Sequence, residues 1–378
     1  MDEHAVAPSI DTIVVGAGQA GLAAGYYLQR AGLRFTLLEA GAAPVGSWPH
    51  YYESLKLFSP ARYSALPGLP FPGHPDHYPA RDEVIAYLED YAAQFRLRVR
   101  TNTRVVTVHR IETGFRVLAE DGATLETRTL IAATGSFRRP YLPSVPGQQV
   151  FRGQLLHSSA YRSPDAYRGQ RIVVVGGGNS AVQIAVELAP LARVTLATRT
   201  VVRFTPQRIL GRDIHFWTRL LGLERLPLGG RLRLQEINPV LDTGIYRHAL
   251  STGLLHSRPM FAGFSAEGVI WADGERERVD TVIFATGYRS NLDYLAELDV
   301  LDGAGRARHR AGVSLTTPGL AYVGLPAQRT FASATLRGVG DDAAYVVAHL
   351  RRYLRTLSLS PGGRPSHASP AKSVSQDR

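Results

Sequence analysis

The sequence has no cysteine in its 378 residues. That excludes disulfides, thiolate nucleophiles, thiolate metal sites and any dithiol redox relay, and it suits a reducing compartment. Lysine is nearly absent too: apart from Lys56 and Lys372, all 43 basic residues are arginine. The formal charge of +11 is spread along the chain. With no basic arm or stripe, no nucleic-acid partner is expected. The arginines read as a solvated surface with some positive field for polyanionic ligands. No apolar run reaches membrane-spanning length, and the start, Met-Asp-Glu-His, carries neither a basic segment nor an apolar stretch. The expectation is a cytoplasmic protein with no membrane partner and two or three domains' worth of core.

What is present is organised around Thr12 to Gly21, TIVVGAGQAG. Ile13, Val14 and Val15 form an unbroken β-branched run, the pattern of a buried parallel strand. Gly16, Gly18 and Gly21 follow at G-x-G-x-x-G spacing, and Leu22 to Arg30 has helical composition. Such glycines allow the tight turn, the approach of backbone to a pyrophosphate and close helix–strand packing. The helix start offers free N–H groups and a positive dipole end to an anion. Gly32 ends the helix, and a second strand, Phe35 to Leu38, runs into Glu39, an acid placed for a ribose hydroxyl. The context predicts a dinucleotide site.

A second unit repeats the plan. Arg171 to Val175 reads as a strand, Gly176, Gly178 and Ala181 give G-x-G-x-x-A, Val182 to Leu188 a helix, and Val194 to Ala197 a strand. The residue equivalent to Glu39 is Arg199, with Thr198 beside it and no acid. An arginine and a hydroxyl suit the 2′-phosphate of NADPH, which a carboxylate would oppose.

Between and after these units the signals are weaker. Gly41 to Trp48 is a turn-rich loop whose indole either packs beside a flat cofactor ring or closes the loop. Tyr51 to Pro79 reads as an ordered excursion, with His74 and His77 in a turn and no metal site expected. Arg81 to Phe95 reads as an amphipathic helix, and Val105 to Leu130 as a small antiparallel meander. Leu130 to Gly135 returns as a buried strand ending in Ala-Thr-Gly. Phe137 to Pro164 reads as a connector. Phe204 to Met260 is hard to read, with a leucine-rich stretch over 220–228 before Gly229-Gly230 and with His215 expected to be structural. Val269 to Trp271 and Val279 to Phe284 read as a hairpin-like pair leading into Ala285-Thr286-Gly287. A strand at Leu320 to Leu325, a helix at Ala343 to Leu357 and a disordered tail over 358–378 complete the reading.

The motifs together resemble the flavin-containing monooxygenase superfamily. The distinctive piece is Phe151-x-Gly153-x-x-x-His157-x-x-x-Tyr161 just ahead of the second glycine motif, and Ala-Thr-Gly-Tyr at 285–288 is a further match. WPHYYESLKLFSPARYSALPG, HYPARDEVIAYLEDYA and FASATLRGVGDDAAYV resemble most the bacterial arsenic-operon-type flavoprotein monooxygenases. The likeness spans roughly 10–355. It implies an α/β fold of two Rossmann-like domains, the second inserted into the first, with a small β-meander. The implied FAD-binding domain covers 1–160 and 290–357, and the NADPH-binding domain covers 161–289.

The resemblance implies FAD held by Gly16, Gly18, Gln19, Ala20, Gly21, Glu39, Val105, Thr134 and Gly135, with Trp48 near the isoalloxazine. It places NADPH at Gly176, Gly178, Asn179, Ser180, Thr198, Arg199, Ala285, Thr286 and Gly287. Trp48 and His157 are the catalytic candidates, His157 as an organiser of the nicotinamide domain rather than a proton carrier. The implied chemistry is NADPH reduction of the flavin, then reaction with O2 to a C4a-(hydro)peroxyflavin that oxygenates a small organic substrate. Two departures bear on the reaction. Phe58 stands in LKLFSP where many animal-type members carry asparagine, and Tyr161-Arg162 replaces the Trp-Pro pair of Baeyer–Villiger enzymes. Heteroatom or C-oxygenation is therefore favoured over ketone insertion. Competing expectations are a flavin reductase or dehydrogenase without oxygen transfer, and a non-enzymatic redox sensor. The sequence leaves the substrate and the oligomeric state open.

Overall fold

The computed structural model describes residues 10–225 and 240–359. The Gly229-Gly230 turn, residues 226–228 of the leucine-rich stretch before it and nearly all of the expected tail lie outside these residues.

The first unit opens with β1 (Thr12–Val15), α1 (Gln19–Arg30) and β2 (Phe35–Leu38). Both strands are buried at every residue, as continuous apolar runs require. After two short 3-10 turns, Trp48–His50 ahead of the excursion and Ala61–Tyr63 within it, come α2 (Arg81–Gln94) and β3 (Val99–Arg100). α2 buries Val84, Tyr87, Leu88 and Tyr91, while Ile85 and Phe95 stay half-buried at its margin. The meander consists of β4 (Val105–Ile111), β5 (Gly114–Ala119) and β6 (Thr124–Thr127). It stops three residues short of the expected end, because Arg128 breaks the ladder and β7 (Thr129–Ala132) joins β1 in the main sheet.

The second sheet takes in a strand from ahead of residue 161. β8 (Gln154–His157), read from sequence as connector, is an edge strand of the second sheet and pairs in parallel with its neighbour at 281–284. It is followed by β9 (Arg171–Val175), α3 (Asn179–Leu188) and β10 (Arg193–Thr198). The segment that was hard to read holds β11 (Phe204–Pro206), β12 (Arg208–Ile209), β13 (Arg212–Asp213), α4 (Ile214–Leu220), β14 (Val240–Asp242) and α5 (Ile245–Ser251). Then come β15 (His256–Pro259), β16 (Gly263–Ser265), β17 (Gly268–Ile270), β18 (Arg276–Arg278) and β19 (Thr281–Phe284). The hairpin partner of β17 is thus β18, not 279–284. β19 instead lies parallel between β9 and β8, with all four residues buried.

The chain then returns through β20 (His309–Arg310), β21 (Val313–Ser314), β22 (Leu320–Tyr322) and α6 (Leu336–Leu359). The first sheet runs β20-β21-β22-β7-β1-β2-β3, so its strands come from both sides of the second unit. The second sheet runs β15-β10-β9-β19-β8 and is parallel throughout. Helices α1, α2 and α6 cover one face of the first sheet, and the meander with residues 292–300 covers the other. α3 and α5 pack on the second sheet, whose far face is closed by Phe261, Phe264 and Trp271. The outgoing and returning connections run side by side: Tyr141 N–H donates to Gly287 O at 2.9 Å, and Pro140 bridges Tyr288. No helix among the described residues is long and apolar enough to cross a membrane.

Candidate functional site

The same backbone cradle is built twice, once in each sheet. In the first, Gly16 N–H donates to Leu38 O at 2.7 Å and Ala133 N–H to Val15 O at 2.8 Å. In the second, Gly176 N–H donates to Ala197 O at 2.9 Å and Ala285 N–H to Val175 O at 2.8 Å. Gly16 (φ +100°) and Gly176 (φ +138°) both lie in a region that L side chains rarely adopt. A Cβ on Gly16 would stand 2.6 Å from Ala133 O, and one on Gly176 2.5 Å from Ala285 O. Each Ala-Thr-Gly strand end is thus the floor on which a nucleotide-motif glycine rests.

Above the first cradle lies a cavity of about 700 Å³, within the size range of cofactor pockets. Gly16, Gly18, Gln19, Ala20, Glu39, Trp48, Val105, Thr134 and Gly135, expected separately from sequence, all line it. Gly21 lies beneath, packed on Gly16. Glu39 is 5% exposed, and backbone holds its carboxylate on both sides. Ala17 N–H donates to Oε2 at 2.8 Å and Gly41 N–H to Oε1 at 2.9 Å. The α1 start has no side-chain cap, so its first N–H groups face the cavity's Gly18 end. Gln19 ties three segments together: its Oε1 accepts from Trp48 Nε1 at 3.1 Å and its Nε2 donates to Ala334 O at 2.8 Å. A glycine cradle, an uncapped helix start and a buried ribose-height acid fit an FAD molecule.

The second cradle differs from the first at its rim. Gly178 opens α3 with an extended backbone and nothing within 4 Å of a Cβ, so its lack of a side chain serves no packing in the protein. That open space is what an approaching pyrophosphate needs. Asn179 and Ser180 start the helix, also without a side-chain cap. Thr198 is buried at the end of β10, and Arg199 beyond it is exposed, with no ion-pair partner among the described residues. Thr198 and Arg199 thus stand at the end of β10 where Glu39 stands at the end of β2.

His157 does not line the first cavity. It ends β8, 4% exposed, and its Nε2 donates to Gly287 O at 3.0 Å while Nδ1 accepts Ser159 N–H at 3.1 Å. Burial holds its pKa below the ordinary histidine value, against the pull of the Gly287 carbonyl. The ring therefore pins the Ala-Thr-Gly turn. Tyr161 is fully buried, with its hydroxyl donating to Glu187 at 3.0 Å. Aromatic contacts run from Trp48 through Tyr51 and Phe137 to Tyr288, linking the first cavity to that turn.

Sequence reasoning missed a second polar group beside the cavity. Asp213 Oδ1 accepts His215 Nδ1 at 2.6 Å, and Oδ2 accepts Tyr78 Oη at 2.6 Å and Gln207 Nε2 at 2.7 Å. Burial alone would raise the Asp213 pKa, but these bonds outweigh it and hold the carboxyl below its ordinary value. His215 is thus a satisfied buried side chain. His74 and His77 sit in a turn, with His77 bonded to Glu83. Among the described residues no group of three or more His, Asp or Glu is placed to hold a metal ion. The partners in the Asp213 group come from positions 78, 207, 213 and 215, so no local spacing announces them.

Residues 13–219 match the family model for pyridine nucleotide-disulphide oxidoreductase. A Bacillus subtilis protein named uncharacterized oxidoreductase CzcO is 34% identical over 343 residues, covering 90% of this chain and 99% of its own. Rice indole-3-pyruvate monooxygenase YUCCA1 is 32% identical, covering 74% of this chain and 77% of its own. Among solved structures, a flavin-containing monooxygenase from Stenotrophomonas maltophilia superposes with a TM-score of 0.81 at 35% identity, covering 91% of this chain and 99% of that one. The disulphide part of the family description has no counterpart in a sequence without cysteine. By its doubled cradle and these relatives, the chain belongs to the flavin-containing monooxygenase superfamily.

Proposed function

We propose that this protein is an NADPH-dependent FAD monooxygenase that oxygenates a small organic substrate. The observation that carries the reading is the doubled cradle with chemically opposite rims, Glu39 on the first and Thr198-Arg199 on the second. FAD, reduced by NADPH, supplies the activation of O2, one oxygen atom going to the substrate and the other to water.

The chain's own part is binding, orientation and exclusion of water. In this reading Glu39 takes the ribose hydroxyls of FAD on lone pairs that Ala17 and Gly41 leave free. The uncapped start of α1 takes the pyrophosphate. Gln19 holds Trp48 against the cavity, and Leu57 and Phe58 close an apolar side of it. Gly178, Asn179 and Ser180 take the second pyrophosphate, and Arg199 the 2′-phosphate. His157 is a positioning residue that fixes the Gly287 turn beside the nicotinamide. On this reading the FAD-binding domain is discontinuous and the NADPH-binding domain includes β8.

The test is a two-stage reaction on purified protein: anaerobic addition of NADPH, then mixing with O2 labelled with 18O in the presence of candidate substrates. Bleaching of the flavin by NADPH and label in an organic product support the reading. A protein that binds no flavin sinks it. So does a reduced flavin that returns all its electrons as hydrogen peroxide or to an added acceptor across the panel, which would make it a reductase.

Arg199→Ala tests the nucleotide assignment separately. A lost charge-assisted bond to phosphate is expected to raise KM for NADPH about tenfold or more while leaving KM for NADH unchanged. An unchanged NADPH to NADH preference would remove Arg199 from the site.

A further inference from the structure

Phe58 is half-buried and lines the first cavity. It stands in a loop, between the Lys56–Ala80 bridge and the 3-10 turn at Ala61–Tyr63. Both chain neighbours are fixed: Leu57 N–H donates to Pro79 O at 2.8 Å, and buried Ser59 shares a 2.8 Å hydroxyl bond with Ser64. The second unit then holds Phe58 itself at two points. Gln207 Nε2 donates to its carbonyl at 2.9 Å, and the His215 ring lies at 22° to the phenyl ring with centroids 6.3 Å apart.

Both of those side chains are tied to Asp213. Gln207 Nε2 also donates to Oδ2 at 2.7 Å, and Oδ1 accepts the backbone N–H and Nδ1 of His215 at 2.8 and 2.6 Å. The Tyr78 hydroxyl, from the far end of the excursion, donates to Oδ2. Gln207, Asp213 and His215 are all buried. Apolar packing would back a loop at less cost than a buried amide, carboxylate and imidazole. What a bonded polar network adds is one defined arrangement. Here it fixes the main chain and ring of a single cavity residue. A phenyl ring offers a ligand no hydrogen bond, only shape and apolar contact, and Leu57 and Leu336 line the same cavity.

We infer that Phe58 is a specificity-determining residue: its ring is a fixed stop that sets how long an apolar end the cavity accepts. Gln207 and His215, held by Asp213, act through Phe58 as positioning residues. The inference rests on the monooxygenase reading and adds to it the class of substrate, molecules with a short apolar end.

The test is calorimetric titration of the FAD-loaded protein with 2-phenylethanol, 4-phenylbutanol and 6-phenylhexanol, neutral probes that differ only in length. Wild-type affinity is expected to level off or fall along the series. In Phe58→Ala it should climb about fourfold for each added methylene, the worth of burying one such group. Phe58→Leu, which keeps a branched apolar side chain in the loop, should give an intermediate profile and serves if the alanine variant does not fold. Gln207→Leu should tighten binding of 6-phenylhexanol while leaving 2-phenylethanol unchanged. A merely structural Gln207 would instead weaken all three probes together with the melting temperature, and that result, or a wild-type profile, would overturn its positioning role. The same length profile in wild type and the folded Phe58 variants would overturn the stop itself. So would a wild-type affinity that climbs with every methylene, or failure of all three probes to bind any form. Failure of the monooxygenase reading shows differently, as wild-type protein that takes up no flavin before any probe is added.

Discussion

Gly21→Ala is expected to lower the melting temperature sharply, while Gly178→Ala leaves it unchanged and weakens NADPH binding instead. The two glycines hold different positions in their motifs, and the structure separates their purposes. A Cβ on Gly21 would stand 1.9 Å from Gly16 O, a backbone atom fixed by the Gly16–Leu38 hydrogen bond below it. No rotamer relieves that clash. Either α1 lifts from β1 or the cradle opens, and the cost is at the upper end of overpacking penalties, about 3 kcal/mol. For a unit of this size that corresponds to a fall of roughly 6–12 °C, with loss of bound FAD. Gly178 has nothing within 4 Å of its Cβ position and an extended backbone that alanine adopts freely. Its substitution acts only when a ligand arrives. Differential scanning of both variants, with and without FAD and NADPH, checks the pair. Equal melting temperatures for Gly21→Ala and wild type would show that the α1–β1 contact is softer than its geometry implies.

What the sequence revealed follows from how local the determinant is. β1, β2 and β9 match their expected bounds because each is an unbroken apolar run flanked by turn residues, buried on both faces. β8 was missed because Gln154-Leu155-Leu156-His157 has two apolar residues and an edge position, where only one side needs burial. β18 is Arg276-Glu277-Arg278, a strand defined by its ladder and not by its hydrophobicity. The final helix was expected at Ala343 but starts at Leu336. Gly338 and Gly340 are poor helix formers by propensity, yet each is a contact. A Cβ on Gly338 would be 2.3 Å from Ala332 O, and one on Gly340 3.0 Å from Pro67. Tertiary packing overrode propensity there.

The candidate site divides the same way. Glu39 and Arg199 are found by counting from a glycine motif, since a β-α-β unit fixes the distance between its strand ends. Trp48 needed the fold: only the Gln19 bridge shows that its indole is held at the cavity. Arg337 and Glu224, 113 residues apart, could not be paired from spacing at all. Gly177 and Gly178 leave an exposed opening at α3, whereas the first cavity is walled by residues from six distant stretches, which is why its substrate side is invisible in the linear pattern.

Glu39→Ala should yield protein that purifies without flavin, and the reason is double. The carboxylate is the acceptor for two backbone donors, Ala17 N–H and Gly41 N–H, at 2.8 and 2.9 Å. Alanine leaves both N–H groups without their acceptor in a position that is 5% exposed, at about 1–3 kcal/mol each. The loop from Gly41 towards Trp48 then loses its anchor at the point where it turns over the cavity. The ribose contacts go with it, so FAD affinity is expected to fall at least about a hundredfold, or some 3 kcal/mol. Glu39→Gln keeps the shape and one acceptor oxygen but turns an amide N–H towards one of the two backbone donors, and should lie between alanine and wild type. Reconstitution of apoprotein with FAD, followed by flavin fluorescence, measures the affinity, and amide hydrogen exchange at Ala17 and Gly41 reports the backbone clamp. If exchange accelerates while FAD affinity holds, Glu39 is a loop clamp only, and the ribose must be held by other residues of the cavity.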